Sequence, residues 1–340
     1  MRSSPLSPVR RADFMDPALD PVRWESALDA APDASVFQTL AWLRNWWACF
    51  GRGRLHLFEV EHAAGTTWAP FFVDGGMAFL VGAGESDYLD LPGAPLDAPT
   101  LAAVLGAVRD LEPGLLGFRL HHLAEDSPTL AALPEAAASL ELESFREQEQ
   151  LAPWRDLGAD PAAAAGLLRK KSLRRALAGF EALAPLEVRH LRAPEQVEPL
   201  LGAFFAQHGA RWAERGVASP LLTPPMQSFY RGMVRAIGVA GHLRFTAVRW
   251  RGADLAFHLG FAYRGRWMFY KPSFDLRHAA LSPGQVLDHQ VIAAALADGA
   301  RVLDQGLGDE PYKSRYADRV RRVYDVGLYP RKSAHGAGLR

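Results

Sequence analysis

Apolar positions along the chain come in two rounds of the same order, a helical stripe and then short strands. Over 38–50, Leu40, Leu43, Trp46, Trp47 and Phe50 line one side, predicting a helix closed by Gly51. Turns containing Gly then separate predicted strands at 55–61, 67–73 and 77–81, ahead of a helix over 99–111 and a strand over 116–123. The second round has a helix over 225–237, strands at 243–250, 254–263 and 266–271, a helix over 283–298 and a strand over 301–307. Gln38 to Leu55 is 17 residues and Gln227 to Leu243 is 16, so an internal duplication is the economical reading. Between the rounds, 162–180 reads as a helix ended by Pro185, followed by a strand at 186–191 and a helix over 195–214.

A length of 340 residues with this repeat predicts two domains, 1–153 and 154–330, with a flexible tail at 331–340. Hydrophobic residues make up 49% and charged residues 22%, as in a globular chain. Lys plus Arg and Asp plus Glu are both 38, a balance that argues against a general nucleic-acid coat and against DNA as a partner. The lone cysteine, Cys49, excludes an internal disulfide and a Cys-rich zinc site. No apolar run of 18 residues and no signal-like N-terminus is present, so a cytoplasmic protein without a transmembrane segment is expected. Only five of the basic residues are lysines, which makes clusters of arginine a property of the whole chain and weak evidence locally.

Several residues have the chemistry of a site. In Leu281-Ser282-Pro283-Gly284-Gln285, Ser282 suits an N-cap, Pro283 the first helical position and Gln285 a capping box. Gly284 leaves that first turn bare, and a helix N-terminus attracts anions such as phosphate, although many helices begin this way with no ligand. Along 255–263 the large residues alternate with Ala256, His258, Gly260 and Ala262, so His258 stands on the small-residue face, as a core or as a catalytic histidine. Asp304 sits in an apolar strand and needs a partner, either an arginine or a reacting group. Gly306-Leu307-Gly308-Asp309-Glu310-Pro311-Tyr312-Lys313 follows, offering a phenol as proton donor and an ammonium that binds an anion or pairs with Asp309 or Glu310. His208 and Trp212 share the apolar stripe of Leu201, Phe204 and Phe205, the pattern of a core face. Residues 169–175 hold five basic side chains in seven, a solvated face or a phosphate contact. His121 and His122 are adjacent in a strand and are expected to point opposite ways, which argues against a shared metal, and no metal site is expected elsewhere.

In order and spacing, the basic helix at 169–175, Phe205 with His208 and Trp212 before Gly216, Tyr270-Lys271, Phe274-Asp275, Leu281-Ser282-Pro283-Gly284, Asp304, Gly306, Gly308 and Tyr312-Lys313 resemble the CelD/BcsL family of GNAT-superfamily acyltransferases, first associated with bacterial cellulose and polysaccharide gene clusters. The resemblance covers about 154–329; the N-terminal half is similar to a degenerate copy of the same fold, and the tandem also resembles the FemABX peptidyltransferases, which use aminoacyl-tRNA. It implies an α/β (α+β) chain of two tandem GNAT-like units, each a mixed, mostly antiparallel sheet flanked by helices. The activity it implies is transfer of an acetyl or longer acyl group from acetyl-CoA or another acyl-CoA to an amine or hydroxyl of a small-molecule, sugar or peptide acceptor. Ser282, Pro283, Gly284, Gln285, Tyr270, Lys271 and Lys313 would hold the acyl-CoA. Tyr312 would protonate the departing thiolate, with His258 and Asp304 as base candidates. His208, Trp212, Asp275 and Arg174 would line the acceptor side.

The usual GNAT phosphate loop carries several glycines, whereas residues 277–284 carry one glycine and a proline without an N–H. The first copy has no Ser-Pro-Gly around 97–101, so only the second is expected to be active. Two further readings stand beside this one: a FemABX-like transferase fed by aminoacyl-tRNA, and a non-catalytic partner in polysaccharide biosynthesis. A monomer built on the internal duplication, or a homodimer, is the expected assembly.

Overall fold

The computed structural model describes residues 10–17, 19–214 and 216–331, so the expected tail lies outside the described residues from 332 onward. After β1 (Arg10–Ala12), side-chain oxygens start the helices of the first half. Asp20 accepts from Val22 N–H at α1 (Pro21–Asp29), and Thr39 accepts from Trp42 N–H at α2 (Leu40–Phe50), which Gly51 ends. β2 (Arg54–His62), β3 (Gly65–Asp74) and β4 (Met77–Leu80) form a meander, followed by α3 (Ala98–Leu111) and β5 (Gly117–Ala124). Then come α4 (Pro128–Ser139), capped by Ser127, and the long β6 (Leu142–Asp156).

The helix expected over 162–180 is broken into α5 (Pro161–Gly166), a 3-10 turn and α6 (Lys171–Glu181), because Lys170 turns to extended backbone at ψ 129°. After β7 (Leu186–Leu191), the helix expected over 195–214 is likewise divided. Here α7 (Pro194–Val197) and α8 (Leu201–Glu214) flank a 3-10 turn holding Pro199, which has no N–H to give an α-helix. The second meander is β8 (Leu243–Trp250), β9 (Ala253–Tyr263) and β10 (Arg266–Phe274), preceded by α9 (Pro224–Val239). α10 (Pro283–Ala297), β11 (Val302–Asp304), α11 (Pro311–Ser314) and β12 (Arg319–Pro330) complete the chain.

The chain divides into two units, between Gln150 and Leu151 and again between Arg321 and Arg322. Most of β12 therefore belongs to the first unit, whereas its residues were expected at the end of the second domain. In the first unit the strands run β1-β2-β3-β4-β5-β12-β6; in the second they run β6-β11-β10-β9-β8-β7, the last residues of β6 serving there. Each sheet is antiparallel through its meander and has one parallel pair, β4 with β5 and β10 with β11. A mixed, mostly antiparallel sheet flanked by helices is thus present in both units.

In the first unit, Phe71, Phe118 and Leu120 pack under Leu101, Val104 and Leu105 of α3 and Leu133 of α4. In the second, α6 and α10 bury Leu173, Phe180, Val286, Leu287 and Val291 against Ala256, Trp267 and Phe269. The opposite sheet face meets α8, where Phe204 lies edge-on to Phe245 and Phe257. Among the described residues no helix is long and apolar enough to cross a membrane.

Candidate active site

In the second unit β10 and β11 are parallel partners over three residues only, Arg266, Trp267 and Met268 against Val302, Leu303 and Asp304. Two features then part them. β10 bulges against β9, its register stepping from Met268 opposite Phe261 to Lys271 opposite Leu259. The chain beyond β11 stays with β6 instead, Gln305 N–H donating to Pro153 O and Gly308 N–H to Leu151 O. Gly260 faces the bulge, and a Cβ there would stand 2.2 Å from Met268 O and 2.4 Å from the His258 ring. The missing side chain is what allows β10 to come in so close. Past Met268, β10 keeps β9 as its strand partner on one side and pairs no further with β11 on the other, an opening in the sheet.

α10 begins at that opening. A Cβ on Gly284 would come within 3.2 Å of the Phe274 ring, so the bare first turn is packed on the end of β10. The capping box expected from Ser282 and Gln285 does not form: Ser282 is left-handed at φ 59°, its side chain caps nothing, and its carbonyl accepts from Gln285 N–H at 3.0 Å. Pro283 is buried at the first helical position. Asp275 caps the preceding 3-10 turn and holds Arg277 through both oxygens. Those hydrogen bonds keep its carboxyl below the usual range against the effect of burial. Its carboxylate is engaged with its own loop, in place of the acceptor role expected for it.

The expected bases are also engaged or enclosed. Asp304 is fully buried, with one oxygen taken by Arg266 at 2.7 Å and the other by Gly306 N–H at 2.8 Å. His258 is fully buried beneath Phe269, whose ring is 4.5 Å away, and burial lowers its pKa to about 3, so it stays neutral without reaching a substrate. Lys313 is turned inward to the Leu307 carbonyl and to Glu310 at 2.9 Å, leaving its ammonium committed to the turn rather than to a phosphate.

Tyr312 keeps a half-buried position on α11, its ring 6.4 Å from that of Phe269 at the start of the opening. Tyr270 is buried on the α8 and α9 side near Tyr230 and Phe261, and the Lys271 ammonium lies 4.3 Å over its ring. Neither faces the α10 terminus where an acyl-CoA phosphate was expected to meet them. His208 is a core histidine: Ser219 Oγ is 2.8 Å from Nδ1, Trp212 stacks on the ring, and burial with the nearby Lys271 and Arg211 charges lowers its pKa to about 4. Arg174 is exposed and lines a shallow basic depression on α6 with Arg169, Lys171 and Arg175.

Two polar residues at the opening escaped the sequence reading. Arg211 reaches from α8 to donate to Pro272 O at 2.9 Å and lies 4.1 Å over Phe274. Asp288 is four residues past Gly284 on the same helix face and 9% exposed. Burial pushes its carboxyl up to about 7, against the pull of the Tyr316 hydroxyl and of Arg315 and Arg211. The Tyr316 phenol is raised in turn, first by burial and then by Asp288. The available signal was one acid among Val286, Leu287, Val291 and Ile292, all buried. Among the described residues no group of three or more His, Cys, Asp or Glu could hold a metal.

Residues 168–314 match the family described as an acetyltransferase (GNAT) domain. A comparison with curated proteins gave no match. Among solved structures the fold is similar to a crystal structure of FemX, with a TM-score of 0.64 at 10% identity over 92% of this chain and 96% of that one. It is similar to L-PGS from Bacillus licheniformis, with a TM-score of 0.56 at 14% identity over 93% and 94%. A tandem GNAT protein from the clavulanic acid biosynthesis pathway gives 0.52 at 13% identity over 94% and 97%. At such identities the likeness is one of fold. The matched domain supports the GNAT superfamily for residues 168–314, and the fold of the chain is that of two tandem GNAT-like units.

Proposed function

We propose that the second unit is an acyltransferase that takes its acyl group from acyl-CoA and delivers it to an amine or hydroxyl. The parting of β10 and β11 after Met268 and Asp304, beside the start of α10, carries this reading. A pantetheine arm fits such an opening, and backbone N–H groups of β10 beyond Met268 are the donors for the thioester carbonyl and its oxyanion. The N-terminal turn of α10 at Pro283, Gly284 and Gln285 is the place for the pyrophosphate, with the helix dipole favouring its charge.

The acceptor nitrogen or oxygen attacks the thioester carbon, the carbon–sulfur bond breaks, and the thiolate takes the Tyr312 proton. The acceptor's own proton needs a base with a pKa near that of the medium. Asp288 meets that condition and lies four residues past Gly284 on α10, whereas Asp304 is paired with Arg266 and burial holds His258 far below it. A cytoplasmic setting suits the donor, and membership of the CelD/BcsL family with a role in polysaccharide biosynthesis stays part of the proposal.

A second reading has one observation in its favour: the exposed basic face formed by Lys171, Arg174 and Arg175 of α6 with Arg169 of the turn before it suits an aminoacyl-tRNA donor. Melting the full chain with free CoA, acetyl-CoA and longer acyl-CoAs separates the two. A ligand at about 100 times its dissociation constant adds roughly 2.7 kcal/mol to stability, so a shift of several degrees is expected. No shift with any CoA would overturn the acyl-CoA reading and leave the tRNA donor or a non-catalytic partner.

A further inference from the structure

The first unit has its own opening. β4 and β5 are parallel partners over three residues, Met77, Ala78 and Phe79 against Gly117, Phe118 and Arg119. Beyond them the irregularity is in β5 rather than in β4. Its register against β12 steps from Leu120 opposite Val326 to Leu123 opposite Tyr324, so His121 and His122 together face the single residue Asp325. This overturns the expectation that two adjacent histidines point apart, because a bulge breaks the alternation.

His122 adopts the left-handed region at φ 59°, an unfavourable conformation for a residue with a side chain. Three contacts hold it there. Its N–H donates to Asp325 at 3.0 Å, its ring Nδ1 to Ser86 O at 2.5 Å, and its Nε2 meets Gln150 at 3.1 Å. Both ring nitrogens of His122 are thereby used, and the residue is a brace.

His121 is different. Its Nδ1 is 2.9 Å from the other Asp325 oxygen. Burial alone would raise the Asp325 carboxyl, but the His121 ring and the His122 N–H hold it below the usual range, so it is an ionised acceptor. An ionised carboxylate only accepts, so Nδ1 carries a proton, and the tautomer that keeps this bond has its lone pair on Nε2. Nε2 has no protein partner among the described residues, and the side chain is 24% exposed.

The surroundings select the ligand. The Phe79 ring stacks on His121 with centroids 6.0 Å apart, and ring contacts continue through Phe72 to Trp47 of α2 at 5.3 and 5.9 Å. Trp47 and Phe79 are half-exposed. The loop gripped by His122, 82–90, contains Glu85 and Asp87 and no basic residue, while its Asp90 is turned to Thr129 and the Leu91 N–H and burial raises its carboxyl. An anion has no place at α3, since Asp97 fills that N-terminus with its own carboxylate, accepting from Thr100 N–H at 2.9 Å. Aromatic faces, an imidazole lone pair and an acidic loop match a cation that can donate a hydrogen bond.

We propose that His121, set by Asp325, is a binding and proton-accepting site in the first unit for the primary ammonium group of a small molecule, with the Phe79 ring as its wall. The site does not depend on the acyl-transfer reading, since it needs no donor. The step is a proton passing from the bound ammonium to Nε2, leaving a neutral amine and an imidazolium paired with Asp325.

Long-range proton–nitrogen NMR of the full chain, labelled at histidine, tests this with n-butylamine as probe and n-butanol as its neutral counterpart. The expected wild-type spectrum has His121 protonated on Nδ1, and n-butylamine moves its Nε2 signal while n-butanol does so about tenfold more weakly. Asp325→Asn presents an N–H to Nδ1, so the proton is expected to move to Nε2 and amine binding to fall about tenfold. His121→Gln should remove the response with the fold retained by circular dichroism. A wild-type ring protonated on Nε2, an equal response to the alcohol, no response to the amine, or a response that survives His121→Gln would each overturn the proposal. The wild-type spectra alone decide the matter if a variant does not fold. Loss of this result together with an intact CoA-dependent melting shift would leave the acyltransferase reading in place.

Discussion

The two units run the same strand order and part their one parallel pair after the same number of residues, yet they fill the opening differently. In the second, the bulge is in β10, the helix that follows starts with Pro283 and a packed Gly284, and the polar residues are Tyr312, Arg211 and Asp288. In the first, the bulge is in β5, the helix starts with an acid that caps itself, and the polar residues are His121, His122 and Asp325. A shared backbone therefore starts one helix without a side-chain cap and the other with one, and the proposed phosphate site rests on that difference. The chemistry follows the placement of a bulge and of one charge rather than the fold.

The comparison breaks most readily at Gly260. Valine there would drive a side chain into Met268 O and the His258 ring, so Gly260→Val is expected to cost about 3 kcal/mol or more and to abolish the CoA-dependent melting shift. A variant melting like wild type would mean that the bulge does not need the glycine. Tyr312→Phe comes next: turnover is expected to fall about 100-fold with acyl-CoA affinity unchanged. Equal turnover would remove Tyr312 as the acid.

Asp288→Asn sharpens the contrast through pH. A carboxyl raised to about 7 in the fold binds its proton more tightly than in the unfolded chain. Wild-type stability should therefore drop as pH rises from about 4 to about 7, and the asparagine variant should escape that loss. A gain of up to about 4 kcal/mol at pH 8 and almost none at pH 4, read by thermal melts, is expected, together with loss of the rising limb of turnover near pH 7. A variant that follows the wild-type pH profile would show Asp288 to be ionised in the fold already.

Much of the fold was legible because its signals are local. Leu186–Leu191 and Leu243–Trp250 fall where alternation puts them, and Gly51 stops α2 as expected. β6 escaped because Glu143 to Glu149 are exposed and give no apolar alternation, although the strand serves both sheets. The site was legible by position more than by role. Pro283 and Gly284 do open α10 and Tyr312 does follow in the turn after β11, but the partners of Asp304, Lys313 and Asp275 depend on distant or turn geometry that spacing cannot supply. His121 and His122 were misjudged because a bulge depends on pairing with β12, some 200 residues away.

The smallest effect expected is at the two helix starts. Asp97 caps α3 with its side chain, whereas Ser282, left-handed at the head of α10, caps nothing. Asp97→Ala should then cost about 1 kcal/mol, while Ser282→Ala should cost only a few tenths. Chemical denaturation of the two variants resolves that difference if the slope is unchanged. An equal or larger cost at Ser282 would mean that its hydroxyl caps the helix in solution. The amide end of α10 would then be occupied by its own residue, as that of α3 is, and the asymmetry on which the proposed phosphate site rests would be lost.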